Sequence, residues 1–148
     1  MTSNNMIRAF LLVLSTSFLA GCGSGGPDIA SVEGTITMDG KPLANAMVLF
    51  IPPEGRPAGA RTNAEGKYEL NFSGGRKGTM PGLNKVRIST QSEAYTDDSG
   101  KSHPGSKETI PEQYNQLSKL EFQVEPSKKN IADFQLESKG RVRVSSGY

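Results

Sequence analysis

From residue 29 to residue 137 the chain alternates apolar and polar residues in short runs, each closed by a turn signal. Alternation with a period of two marks a strand that keeps one face in a core. In the first run, 29–38, Val32, Gly34, Ile36 and Met38 share one face and Glu33, Thr35 and Thr37 the other. Asp39-Gly40 follows as a tight turn, since glycine tolerates positive φ and aspartate can bond its own backbone. The second run, 46–51, is different. Ala46, Val48 and Phe50 alternate with Met47, Leu49 and Ile51, so both faces are apolar, and the strand is expected to be covered on both sides or to lie at an interface. A short strand at 58–62 and a turn at 63–66 lead into 67–72, with Tyr68, Leu70 and Phe72 inward. Beyond a glycine-rich connection, 83–90 turns Val86 and Ile88 inward and Lys85, Arg87 and Ser89 outward. The last two strands are 119–124, with Leu120, Phe122 and Val124 inward, and 131–136, with Ala132, Phe134 and Leu136 inward. No helical periodicity runs for more than a few residues. Strands with turn signals every ~8–12 residues predict an all-β domain over 29–137, a seven-stranded β-sandwich.

Two segments break this rhythm. Residues 91–118 are long, polar and rich in Ser, Asp, Gly and Pro, and such a loop in a compact domain is functional or mobile. Within it, 111–115 is expected to form one helical turn packed by Ile110, Tyr114 and Leu117. Residues 138–148 are a basic tail containing Gly and Ser, expected to be disordered.

The N-terminus carries a different pattern. Arg8 precedes an apolar run, 9–20, broken by Ser15, Thr16 and Ser17. A membrane span needs about 20 apolar residues. This run instead has the length of a signal-peptide h-region, ~7–15 residues, and ends in small residues at a cleavage point. Leu19-Ala20-Gly21-Cys22 resembles the lipobox of bacterial lipoproteins. In that family a diacylglycerol is joined to the cysteine sulfur, the chain is cut between the residues that correspond to Gly21 and Cys22, and the new amino group is acylated, commonly with palmitate. The resemblance implies a signal peptide at 1–21 and a membrane lipid as partner through acylated Cys22. A thiolate is the nucleophile such a linkage requires, and one acyl chain alone binds membranes only marginally. Cys22 is the single cysteine, so no intramolecular disulfide can form. Residues 22–28 form a flexible Gly- and Ser-rich tether. Gly23 stands where an aspartate would resemble an inner-membrane retention signal, which favours the outer membrane; the periplasmic or the surface face stays open.

Composition adds exclusions. A net charge of +2 with both signs mixed gives no case for nucleic acid. Seventeen glycines, nine prolines and no tryptophan describe a turn-rich chain with modest core-building material. His103 is the only histidine and sits in a polar loop, where it is expected to be solvated; zinc there would need carboxylates for its remaining ligands. Asp97-Asp98-Ser99-Gly100 resembles a fragment of a calcium loop with Glu108 at the twelfth position. Lys101 occupies a ligand position, so a solvated turn is expected. The run 73–78 lacks the Gly-Lys-Ser/Thr ending of a phosphate loop, and no Gly-x-Ser-x-Gly nucleophile motif occurs. No catalytic residue, metal or cofactor is expected.

The run 32–43 followed by Ala46-x-Val48-x-Phe50, together with 62–68 and Leu70, resembles the start of a transthyretin-like, carboxypeptidase-regulatory-like domain. Met80-Pro81-Gly82 before the strand of Val86 and Ile88 continues the likeness. The end, from Ile110-Pro111-Glu112-x-Tyr114-Asn115 through Asp133-Phe134-x-Leu136, is similar to small lipoproteins of this type common in planctomycetes. The likeness spans roughly 29–137. Asn63 replaces a frequent Asp, and Asn84 replaces a frequent aromatic, so that end of the core is expected to pack differently. The resemblance implies an immunoglobulin-like, prealbumin-like fold in a cell-envelope setting and no reaction, because fold alone is not function. The expected role is therefore non-catalytic binding or structural association with an envelope protein or glycan. Met47, Leu49, Ile51, Tyr95 and Tyr114 are the candidate contact patch. The alternative is a carrier of a small ligand or glycan, with Tyr95 and Tyr114 walling a cleft beside the 91–118 loop.

Overall fold

The computed structural model describes residues 26–143. The expected signal peptide, Cys22, the start of the tether and residues 144–148 lie outside them. The chain is all-β, with two 3-10 turns at Ser73–Gly75 and Glu112–Tyr114.

In the first sheet β1 (Val32–Met38) is central. It runs antiparallel to β2 (Lys41–Pro42) and β5 (Lys67–Glu69), and parallel to β10 (Asn130–Ile131) and β11 (Phe134–Leu136). The second sheet has the order β4 (Ala58–Arg61), β3 (Met47–Ile51), β6 (Gly82–Ser89), β9 (Glu121–Val124), antiparallel throughout. A small hairpin, β7 (Tyr95–Thr96) with β8 (Ser102–His103), stands apart. Inward side chains of both main sheets, among them Val32, Ile36, Val48, Phe50, Val86 and Ile88, are fully buried in one core. Phe50 meets Phe134 of the first sheet edge-on at 6.3 Å and Phe122 at 6.0 Å, so the sheets pack face to face.

The alternation assigned the inward faces well, and the departures have local causes. The last strand is split between Ile131 and Phe134. There Thr35 N donates to Asp133 Oδ1 at 2.7 Å in place of a ladder bond, while the Ala132 carbonyl accepts from the Tyr68 hydroxyl at 2.6 Å. Burial pushes that hydroxyl's pKa far up, so it remains a donor. Gly34 lies between the two groups. A Cβ there would stand 2.0 Å from the Ala132 oxygen and 3.1 Å from the Tyr68 ring. Asn84 is fully buried in the core, its amide donating to the Met80 and Gly82 carbonyls at 3.0 Å each and its oxygen accepting from Thr79 Oγ1 at 3.3 Å. The position thus fixes the preceding loop instead of filling the core with a ring. Asn63 Oδ1 accepts from Glu65 N and Lys67 N at 3.1 and 2.8 Å, the work a carboxylate would do in that turn.

The domain has two ends. At the proximal end the chain comes in from its tether: Arg76 donates to the Pro27 carbonyl at 2.6 Å, and Ala30 bridges to Thr79. At the distal end lie the end of β1, the start of β3 and the end of β6. Residues 138–143, expected to begin a disordered tail, return along this distal end. Glu112 N donates to the Arg141 carbonyl at 2.8 Å, Ser138 N donates to Asp39 Oδ1 at 3.0 Å, and Arg143 Nε lies 3.5 Å from the Glu112 carboxylate.

Gly34→Ala is expected to lower unfolding stability by roughly 1–3 kcal/mol, the cost of overpacking against backbone that cannot yield. Denaturant titration checks this; a change under about 0.5 kcal/mol, the scale of neutral surface substitutions, would show that the three strands can separate there at little cost.

Candidate functional site at the distal end

The segment that broke the alternation builds this end of the molecule. Its organising group is Glu108, 5% exposed. One carboxylate oxygen accepts from Thr90 N, Thr90 Oγ1, Thr109 N and Ile110 N at 2.7–3.0 Å. The other accepts from Ser89 Oγ and Asn115 Nδ2 at 2.5 Å each. Burial on its own would raise this carboxyl's pKa, but the hydrogen bonds from Ser89, Thr90 and Ile110 outweigh it and hold the group below the ordinary glutamate range. Asn115 in turn accepts from Arg87, through its carbonyl at 3.1 Å and its side-chain oxygen at 3.4 Å. Fully buried Ile110 and Pro111 carry the same stretch into the core.

Between Thr90 and Glu108 the chain makes the β7–β8 hairpin. Its turn is closed by Asp97. One carboxylate oxygen accepts from Ser99 N, Ser99 Oγ and Lys101 N at 2.6–3.0 Å, and the other lies 2.8 Å from His103 Nε2. The Ser99 hydroxyl and then His103 pull its pKa down to about 2. Asp97, the first residue of the run that resembled a calcium fragment, is therefore occupied by donors of its own hairpin. Among the described residues no group of three or more His, Cys, Asp or Glu is placed to hold a metal.

His103, expected to be solvated, is instead half-buried, bonded to Asp97 and stacked on Tyr95 with ring centroids 4.7 Å apart and planes 9° apart. Tyr95 is 58% exposed. The pair lines a cleft of about 260 Å³ with Asn45, Arg61, Ser92, Pro104 and Ser106. Arg61 leaves β4 on the outer face and donates to the Asn45 carbonyl at 2.7 Å; Asn45 holds a φ of 57°.

Met47, Leu49 and Ile51 form a partly exposed stripe on the outer face of β3, starting beside this cleft. Their cross-strand neighbours are Arg61 and Ser89 for Met47, Gly59 and Arg87 for Leu49, and Lys85 for Ile51. The stripe is thus walled by long cationic side chains, whose stems shield apolar surface. Tyr114 does not join Tyr95. It packs on the core, its hydroxyl accepts from Glu137 N at 3.2 Å, and it lines a separate hollow with Gln113, Leu117, Lys119 and Leu120. The expected cleft with both tyrosines is therefore two separate clefts with no lining residue in common. Gly21 and Cys22 lie outside the described residues. Sequence reasoning missed Arg61, Asn45 and the anchoring role of Glu108. Glu108 was noticed only as the twelfth position of the calcium-like run, which does not point to the role it has here.

In comparisons with known proteins, no family model matches the chain, and neither a curated protein nor a solved structure matches it.

Glu108→Gln is expected to destabilise the chain by about 1–3 kcal/mol, because an amide presents one oxygen to donors that now face two and turns its NH2 toward them. The wild-type carboxylate has a lowered folded pKa. Its contribution is full above the unfolded value near 4.5 and is lost as pH falls through the folded value below it. Denaturation curves at a series of acid pH values should show a shallower loss of stability in the Gln variant. Parallel pH profiles would remove Glu108 as the acid-sensitive group.

Proposed function

We propose that the chain is a lipid-anchored, non-catalytic module of the bacterial cell envelope, with a transthyretin-like β-sandwich that works by binding. The observation that carries this is Leu19-Ala20-Gly21-Cys22 placed directly after an apolar run of signal-peptide length. Two further features support it. The all-β domain begins only a few residues after Cys22, with a Gly- and Ser-rich stretch between, the arrangement of a tethered domain. The chain comes into that domain at the proximal end, whereas the cleft and the apolar stripe's start lie at the distal one. The anchor is expected in the outer membrane because Gly23 follows the cysteine. Among the described residues no helix is long and apolar enough to cross a membrane. Partners are an envelope protein or glycan. A small-ligand or glycan carrier is the second reading, favoured by the cleft beside Tyr95.

Intact-mass analysis of the membrane fraction, with wild-type and Cys22→Ser chains compared, tests the anchor. The wild type should yield a species beginning at Cys22 with added diacylglyceryl and acyl mass, and the variant should lack it. A soluble wild-type species with unmodified Cys22, or one retaining residues 1–21, would overturn the proposal.

A further inference from the structure

We infer that the distal cleft of Arg61, Asn45, Tyr95 and His103 is a binding site for a carboxylated saccharide. This rests on the reading of the chain as an envelope binding module and names the ligand class of that site.

The recognition elements are complementary and fixed. Tyr95 and His103 are stacked almost parallel, and His103 is held by Asp97 at 2.8 Å, so the exposed Tyr95 ring is a platform of set orientation. Flat aromatic faces receive the C–H face of a pyranose, which is apolar on that side and hydroxylated at its rim. Arg61 stands across the cleft. One of its N–H groups is used on the Asn45 carbonyl, and among the described residues no carboxylate pairs with it. A guanidinium has five donors in a rigid fork. Fixed by one bond, it keeps the rest for an anion, and its geometry fits a carboxylate in two-point contact. Asn45 is exposed beside it, and its left-handed backbone directs its carbonyl to Arg61. The acidic group nearest the rings, Asp97, is already occupied by four donors and does not compete for the arginine.

Size and shape narrow the ligand. The cleft, about 260 Å³, is smaller than the ~300–1,000 Å³ pockets that enclose drug-sized molecules. One ring fits, with the rest of a chain outside. Beyond the mouth lies the β3 stripe, edged by Arg87 and Lys85. A polymer of uronic acids, with an apolar ring face and a carboxylate on each unit, matches a stripe of apolar residues bordered by cations. A neutral glycan would leave Arg61 and Lys85 without an anion, whereas Arg87 is already engaged by Asn115.

The test is titration of the full chain in detergent micelles with trigalacturonic acid, followed by calorimetry and by shifts of the Tyr95 and His103 ring signals. Galactotriose and adenosine monophosphate serve as comparison ligands. Trigalacturonic acid should bind saturably and shift both rings. Galactotriose should bind about tenfold or more weakly, the effect of one charge-assisted contact of about 1.4 kcal/mol. Arg61→Gln and Tyr95→Ala should each weaken the acidic trimer by a similar factor while keeping the wild-type unfolding midpoint. Arg61→Lys, which keeps the charge and loses the fork, replaces the Gln variant if that one unfolds. No saturable binding, undiminished affinity in either folded variant, or tighter binding of the nucleotide would overturn the assignment. Cys22 lipidation is read separately by mass, so a lipidated chain that ignores the trimer sinks only the saccharide site. A chain with unmodified Cys22 that binds it sinks only the anchor.

Discussion

A single buried carboxylate organises the distal end. Glu108 is taken out of water with no cation beside it; among the described residues its partners are backbone N–H groups, hydroxyls and one amide. A charge in that position is costly unless each oxygen is fully engaged. Here the donors come from both sides of the interrupted segment, so satisfying the charge and closing the loop are the same event. The segment has few apolar residues with which to hold itself down. Ile110 and Pro111 are its buried apolar anchors, and the polar network does the remainder. The β7–β8 hairpin and the cleft it lines exist because Thr90 and Glu108 are held together at its base.

The core was legible because it depends on a local rule. A strand with one buried face must alternate, and Val48 with Phe50, Val86 with Ile88 and Tyr68 with Leu70 follow that rule whatever lies elsewhere in the chain. The split of the last strand was not legible. It requires Gly34, Tyr68, Ala132 and Asp133 to meet, and no pattern within any one strand encodes that meeting. Asn84 gave half a signal: its identity announced different packing, while the hydrogen-bonded loop that results depends on where Met80 and Thr79 fall.

The candidate site divides the same way. Met47, Leu49 and Ile51 stood out because a strand with two apolar faces is unusual, and they do share one outer face. Arg61 carried no mark in sequence, being one charged residue at the end of a short strand. Only the pairing of Met47 with Arg61 and the fold-back of the hairpin bring it to Tyr95. The aspartate turn was legible as a turn, because Lys101 stands at a position where a calcium loop needs an oxygen. Oxygen-rich loops that hold cations and turns that cap their own N–H groups draw on the same residues, and donor spacing decides between them.

The parallel pairing of β1 with β10 and β11 has a mechanical consequence. Val32 pairs with Asn130, Glu33 with Ile131, and Ile36, Thr37 and Met38 with Phe134, Gln135 and Leu136, all in one register. The strand that leads from the N-terminal side starts at the proximal end, and its partner finishes at the distal one. Tension applied between the start of β1 and the end of β11 runs along these strands and drives them past one another. Under that pull the bonds of the ladder resist together, as in a lap joint, and are not opened one at a time from an end. The first and last strands of the described chain are therefore joined in the geometry that resists such a pull most strongly.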